Sequence, residues 1–567
     1  MLMILPAIGT LGALFVDESN LVLLFTILAI ATVFVLGVVS KRFLPHKLFP
    51  WMVLAIAITL LFHTTLVSHY IYGSDIHSEY YSFELTRRDA FWNPSAYYSD
   101  PRFGRFNSML SITILPTIYS NLMNMDPTWV FKIIFPLVFS LVPLVLFKLW
   151  RIGFKSKIAF ISAFFFMSEL TFYSEMPGLT RQMIAELFFV LLLYVLISKK
   201  LTPIQRKIFF VIFSSGLILS HYAMALIFLF IIFVTWSFLY LKERKGSNIS
   251  LSLVCIFFVI MFSWYIYTSS SASFDSIVDF GNHLYYRFSG FLNLASREEG
   301  VIRGLGLEPV SHFWKIPSRI FAYATEFLIV VGFVGLMTGR VKENFPYEYK
   351  VFQSLAIGLL IMGIVLPGFA SSLNMTRLYH ITLIFLAPFL ILGCRTLIQL
   401  IARKRLQLYV TVLALLVITP YFMFQTGFVY EVTGSDVWSV PLSGYRMDYV
   451  RLYRLGYVDD ASVFGAEWLS NSVNLKNVKV YADSISRYKV LSSYGRIYEG
   501  NIRVISNVTR MENVTILYLS RLNVDFGIVA GSYYTWNTSD LAFLFEDLNK
   551  VYSNGGSEVF TSVDSNY

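Results

Sequence analysis

Residues 208–241 read IFFVIFSSGLILSHYAMALIFLFIIFVTWSFLYL. Lys199, Lys200, Arg206 and Lys207 precede the stretch, and Lys242, Arg244 and Lys245 come after it. Basic connections stay on the cytoplasmic side of a membrane protein, so both ends belong to one side and the chain crosses and returns within 34 residues. The turn falls at Ser220-His221-Tyr222. A helix from Ile208 to Ser220 is about 20 Å long against a hydrocarbon core of about 30 Å, which puts the tip below the outer surface. Polar backbone at that depth needs protein or water around it, so the tip predicts a recess that opens outward. One continuous tilted helix is the alternative, and it would set every later connection against its charge.

Ten more apolar stretches flank this hairpin: Leu21 to Ser40, Trp51 to Val67, Thr128 to Trp150, Ile158 to Phe172, Met183 to Ser198, Leu251 to Thr268, Ile320 to Thr338, Val351 to Leu366, Ile381 to Leu397 and Leu408 to Phe424. That makes about twelve spans, or thirteen with the apolar Met1 to Phe15, which lacks the basic start of a secretory signal. The whole composition agrees: 14% charged residues cannot coat a 567-residue globule, since soluble domains carry about 25%. The net charge of +10 is the excess of basic cytoplasmic connections, not a nucleic-acid footprint. Two cysteines, Cys255 and Cys394, make no disulfide framework.

Alternating the connections by charge places five further segments outside the cytoplasm, besides the hairpin tip. They are loops 70–127 and 269–319, tips 175–181 and 367–380, and everything after Phe424. Residues 1–424 therefore read as a polytopic α-helical membrane domain, and 425–567 as a small extracytoplasmic α/β domain. In the latter, Val478 to Ala482, Val514 to Leu519 and Asp525 to Ala530 have strand patterning, while Ala461 to Val473 and Ser539 to Asn549 have helical spacing. Sequons at Asn374, Asn507, Asn513 and Asn537 fall on the external side, and the one at Asn248 does not.

Unusual polar residues gather in these external segments. The first loop opens with Gly73-Ser-Asp-Ile-His-Ser-Glu-Tyr-Tyr81. An extended backbone would point Asp75, His77 and Glu79 to one side, and a helix would still align Asp75 with Glu79. Either arrangement suits general-base work or a divalent cation held by Asp75, His77 and Glu79; a solvated loop start with a capping Asp is the plainer reading. Further on lie Arg102 and an amphipathic stretch, Met109 to Leu122, that reads as an interfacial helix. Arg181 and Arg377 each stand at the start of a span. Such an arginine either binds phosphate through its planar fork or snorkels to headgroups. His221, Tyr222 and His380 complete the set of candidate supporting residues. Glu169, Glu186 and Glu326 sit at span positions, as a proton relay or as structural hydrogen-bond partners.

With these segments in hand, the chain resembles the C-type glycosyltransferase (GT-C) fold. More closely it is similar to an archaeal family of multipass proteins of unknown function, predicted to be such enzymes. The motifs that carry the resemblance are Gly73 to Tyr81, Thr180-Arg-Gln-Met-Ile-Ala-Glu-Leu-Phe188, Leu219-Ser-His-Tyr222, Thr376-Arg-Leu-Tyr-His-Ile-Thr-Leu-Ile-Phe-Leu-Ala-Pro388 and Gln425-Thr-Gly-Phe-Val-Tyr-Glu431. The resemblance implies a sugar donor on a polyisoprenyl (dolichyl) phosphate and transfer on the outer side of the membrane. The acceptor would be a glycan, lipid or protein. Many such enzymes have two adjacent carboxylates, whereas here Asp75 and Glu79 are separated by His77 and its neighbours. The Trp-Trp-Asp-Tyr-Gly signature of oligosaccharyltransferases is missing, which disfavours transfer of a whole glycan to asparagine.

The reading is thus a multipass hexosyl- or pentosyltransferase, inverting. Asp75 and Glu79 are its catalytic carboxylates, and Arg377, Arg181 and Arg102 its candidates for the donor phosphate. A transporter or flippase of a lipid-linked anion is the alternative. Transporters commonly show related halves, and no internal repeat is visible here.

Overall fold

A computed structural model describes residues 4–562 except 15–18, 41–43, 95–100, 244–246, 270–271, 292, 294–295, 371–373, 402–403, 437–438, 476–477, 512–514, 532–533 and 546–547. Among the described residues, 11 helices are long and apolar enough to cross a membrane. Two shorter apolar helices, Ile4–Leu14 and Ser156–Ser168, fill the remaining sequence-predicted positions. The protein is a polytopic α-helical membrane protein with a small C-terminal sheet domain.

The hairpin forms as expected, with one correction. Its first helix starts at Pro203, not Ile208, because Thr202 and Gln205 close a capping box and Pro203 fits the first turn. Its 18 residues are about 27 Å long, so the tip comes close to the far surface of the hydrocarbon instead of stopping well inside it. His221 is extended (φ −159°, ψ 112°), which breaks the helix before Tyr222–Leu241. The continuous-helix alternative is not what forms.

The span expected from Ile158 to Phe172 ends early, at Ser168. Glu169 is extended, and a π turn (Thr171–Glu175) and a 3-10 turn (Met176–Gly178) come next. This irregular backbone is tolerated because Phe172, Tyr173, Met176 and Leu179 bury it in protein. Packing elsewhere relies on small residues. A Cβ on Gly393 would stand 1.9 Å from the Leu328 carbonyl oxygen, so only glycine lets Lys315–Met337 lie against Met375–Ile401.

With Ser156–Ser168 taken as a crossing beside the eleven long helices, the helix ends at Thr65, Ser168, Ser220, Thr268, Val365 and Gln425 fall at one membrane face, hereafter the site face. Asn20, at the start of the first long helix, ties that face together: its side-chain amide donates to Glu431 (2.7 Å) and to the Leu442 carbonyl (2.7 Å). Glu431 also accepts from Ser443, Tyr445 and Arg446. The Gln425 to Glu431 motif is thus the joint between the last span and the C-terminal domain.

The C-terminal segment builds a five-stranded sheet from β1 (Lys479–Ala482), β2 (Ile502–Val504), β3 (Thr515–Leu519), β6 (Asn549–Ser553) and β7 (Glu558–Thr561), in the order β2-β1-β3-β7-β6. β4 (Ile528–Ala530) and β5 (Thr535–Asn537) form a separate pair. β1 lies parallel to both β2 and β3, in register Val480 to Ile502 and Val480 to Ile516. Every residue of β3 is buried, as expected of a central strand covered on both faces. Two expectations change. The strand expected from Asp525 starts only at Ile528, because Asp525 is the helical cap of the turn Arg521–Val524. The helix expected from Ser539 to Asn549 is a 3-10 helix, Thr538–Leu544, and Asn549 begins β6. The turn residues Asn554-Gly555-Gly556 mark the β6–β7 hairpin.

Candidate active site

The acidic motif is helical: Asp75–Asp89 comes directly after Gly73 and Ser74. Gly73 (φ 130°) and Gly456 (φ 112°) meet backbone to backbone, and a Cβ on Gly456 would stand 2.4 Å from Gly73. A Cβ on Gly73 would stand 2.7 Å from the Cα of Gly178. Three glycines thus lock the start of this helix against the 176–178 turn and the C-terminal segment, which fixes where Asp75 points.

Helical geometry brings Asp75 and Glu79 to one face, and Arg181 meets both. Its guanidinium donates to Asp75 Oδ2 at 2.9 Å and to Glu79 Oε1. Its backbone N–H, at the start of Thr180–Ile197, donates to Glu79 Oε2 at 3.3 Å. The Phe106 ring backs the guanidinium at 5.2 Å. Arg377 approaches the same Asp75 oxygen at 3.5 Å. Its neighbour Thr376 is anchored by Glu175 (2.8 Å) and Asn374 (2.8 Å).

Exposure separates the roles. The side chain of Glu79 is 0% exposed and that of Arg181 12%, whereas Asp75 is 37% and Arg377 28% exposed. Arg181 is committed to two carboxylates. Arg377 holds one long contact, and its buried Nε makes no hydrogen bond among the described residues. Of the two arginines, Arg377 has donors left for an anion.

Burial pushes the Glu79 carboxyl up to about 7, against the opposing pull of Arg181. Folded Glu79 therefore keeps its proton to higher pH than the unfolded chain does. Its contribution to stability is full below about 4.5 and falls as pH rises toward 7. Melting temperatures from pH 4.5 to 7.5 should show this decline in the wild type, and Glu79→Gln should flatten it; an unchanged slope in the variant would assign it to another group.

His221 sits at the hairpin tip beside the arginines and interacts electrostatically with Arg181 and Arg377. Its Nδ1 accepts from the backbone N–H of Ala223 (3.1 Å) and Met224 (3.5 Å), which fixes a neutral ring with the proton on Nε2. Tyr222 is near enough to interact with Arg181 as well.

Two of the supporting candidates, His77 and His380, are buried against partners other than Asp75 and Glu79. His77 points away from the carboxylate pair, because i+2 on a helix lies far around from i and i+4. It is fully buried 3.0 Å from Ser493 Oγ in the C-terminal segment, while its neighbour Ser78 donates to Glu499 (3.0 Å). Asp75, His77 and Glu79 are therefore not one cluster, and among the described residues no group of three His, Cys, Asp or Glu is gathered to hold a metal. His380 is also buried, one turn below Arg377, and pairs with Glu186 at 3.0 Å between Phe166 and Phe172. Glu169 accepts from Tyr421. Arg102 lies in helix Pro101–Asn107, but its side chain is outside the described residues.

Residues 206–560 match the family described as Predicted membrane protein (DUF2206). The chain belongs to this family. No curated protein matches this DUF2206 chain in sequence. Among solved structures it is similar to ArnT from Cupriavidus metallidurans bound to undecaprenyl phosphate, at 12% identity and a TM-score of 0.49, covering 92% of this chain and 98% of that one. It is also similar to the arabinofuranosyltransferase AftD from Mycobacteria, at 10% identity and a TM-score of 0.48, covering 93% of this chain. The chain spans 40% of AftD's length.

Sequence reasoning missed Glu175, Phe106, Ser493 and Glu499 as partners of the candidate residues. Glu175 was within reach, since it flanks the same tip as Arg181. Phe106 lies in the seven-residue helix Pro101–Asn107, and Ser493 and Glu499 lie in a turn and a 3-10 turn, segments too short to carry a periodic signal.

Proposed function

We propose that this protein is a membrane glycosyltransferase that moves a sugar from a polyisoprenyl phosphate to an acceptor on the site face. The observation that carries this reading is a half-exposed carboxylate, Asp75, flanked by an arginine with uncommitted donors, Arg377. Such a pair supplies a base and an anion holder at one membrane surface. In the step, Asp75 takes the proton of an acceptor hydroxyl. The oxygen bonds to the anomeric carbon as the bond from that carbon to the phosphate oxygen breaks. The lipid phosphate leaves with the bonding pair, stabilised by Arg377, and the anomeric configuration inverts. Arg181 positions both carboxylates, and neutral His221 offers an Nε2–H to the same region. The membrane-surface position and the resemblance of the sequence to C-type glycosyltransferases support a lipid-linked donor.

Purified protein incubated with radiolabelled polyisoprenyl-phosphate hexoses and pentoses should release labelled sugar to water or an acceptor. Movement across reconstituted vesicles without chemistry would replace this reading with the transporter. Within the assay, Arg377→Ala should lower turnover by about 100-fold, the effect of removing one donor aimed at a developing anion. Full turnover at saturating donor would remove Arg377 from that role.

The site face is assigned to the outside because the opposite connections carry Arg151, Lys155, Lys199, Lys200, Arg340 and Lys342. After Cys255 and Cys394 are replaced, Asp89→Cys should react with an impermeant maleimide in intact cells and Lys200→Cys should not. The reverse pattern would invert the protein.

A further inference from the structure

The face of helix Asp75–Asp89 turned away from the carboxylate pair lines a cavity of about 300 Å³, at the small end of ligand pockets. It lies in the seam between the membrane domain and the C-terminal domain. Tyr70, Trp129 and Tyr494 supply aromatic walls, with Tyr70 and Tyr494 edge to face at 5.0 Å. Glu84 enters from the helix, paired with Arg87 at 2.8 Å and with Arg496 at 3.3 Å. Arg496 reaches over from a left-handed backbone (φ 54°), uncommon for a residue with a side chain. Glu467 joins from helix Asp460–Ser472.

Aromatic faces beside carboxylate acceptors and guanidinium donors suit a ligand with C–H faces and a rim of hydroxyls. Glu84, Asp126 and Glu467 line the cavity with Arg87 and Arg496, and both arginines are paired with Glu84, so a neutral ligand fits better than a phosphate. We infer that this seam binds a neutral saccharide unit of the acceptor, remote from the hydroxyl that reacts. Glu84 is nine residues from Asp75 along one helix, a rise of about 13 Å, and on its far side. A sugar held here is not at the reacting carbon, and it gives the C-terminal domain a part in acceptor binding. The inference rests on the glycosyltransferase reading for the identity of the acceptor, not for the presence of the sugar.

Saturation-transfer NMR on the full chain in detergent, with methyl glycosides and neutral disaccharides of glucose, mannose, galactose and N-acetylglucosamine, tests it. At least one should bind without competition from inorganic phosphate. Glu467→Gln and Trp129→Leu should each weaken it at least tenfold, while Asp75→Asn binds as the wild type does. The exposed Glu467 makes its variant the one least prone to misfold, and an unchanged melting temperature verifies this. Binding by no member of the panel, or binding lost with Asp75→Asn and kept by both cavity variants, overturns the inference. Saccharide binding without transfer from any donor would leave the saccharide site standing and reject the glycosyltransferase. Transfer with an unchanged acceptor KM in both cavity variants would reject the site and keep the enzyme.

Discussion

Asp75→Asn should lower sugar transfer by about a hundredfold or more, the usual contribution of a positioned general base, while donor binding survives. Asparagine nearly reproduces the shape of aspartate and still accepts from Arg181, so the geometry at the helix start is kept. What it loses is the capacity to take a proton. Donor affinity should hold or rise, because the variant no longer draws Arg377 toward a carboxylate. Single-turnover transfer and equilibrium binding of a non-transferable donor analogue separate the two quantities. Glu79 is the other carboxylate in reach, but it is fully buried behind Arg181 and cannot meet an acceptor without displacing that residue. Near-normal transfer by Asp75→Asn would therefore reject the proposed chemistry at this helix, not merely move it by one turn.

The spans were legible because apolar runs of that length are decisive on their own. Where the backbone leaves regular structure, the reading failed. The break at Glu169 looks like uninterrupted helix in sequence, since Phe172 and Met176 are as apolar as any span residue; only neighbouring helices make a π turn there tolerable. The convergence of Arg181 and Arg377 on one face was visible from their places at span starts. Which of them is free was not visible. That depends on Glu79 being buried under Arg181, a tertiary fact set by how Gly73, Gly178 and Gly456 bring three segments together. His77 failed for a simpler reason: the spacing i, i+2, i+4 converges on a strand and diverges on a helix, and Asp75–Asp89 is a helix.

Arg181→Ala is expected to fail in two separable ways. It removes the partner of a fully buried carboxylate, and breaking such a pair costs about 3 kcal/mol of stability. That is the low end for buried pairs, because Glu79 can take up a proton instead of remaining charged. Its ionisation should then move above the present value of about 7, since Arg181 is what holds it down. The window over which stability falls with rising pH should extend upward accordingly. Adding Glu79→Gln removes the stranded acid, so the double variant should regain most of the lost stability in denaturant titrations. Transfer should stay low in both variants, because Asp75 has still lost its 2.9 Å contact and the neighbouring Phe106 its cation. If the double variant recovered transfer together with stability, Arg181 would serve only to neutralise Glu79, and the orientation of Asp75 would have to come from Arg377 and the glycine-locked helix start.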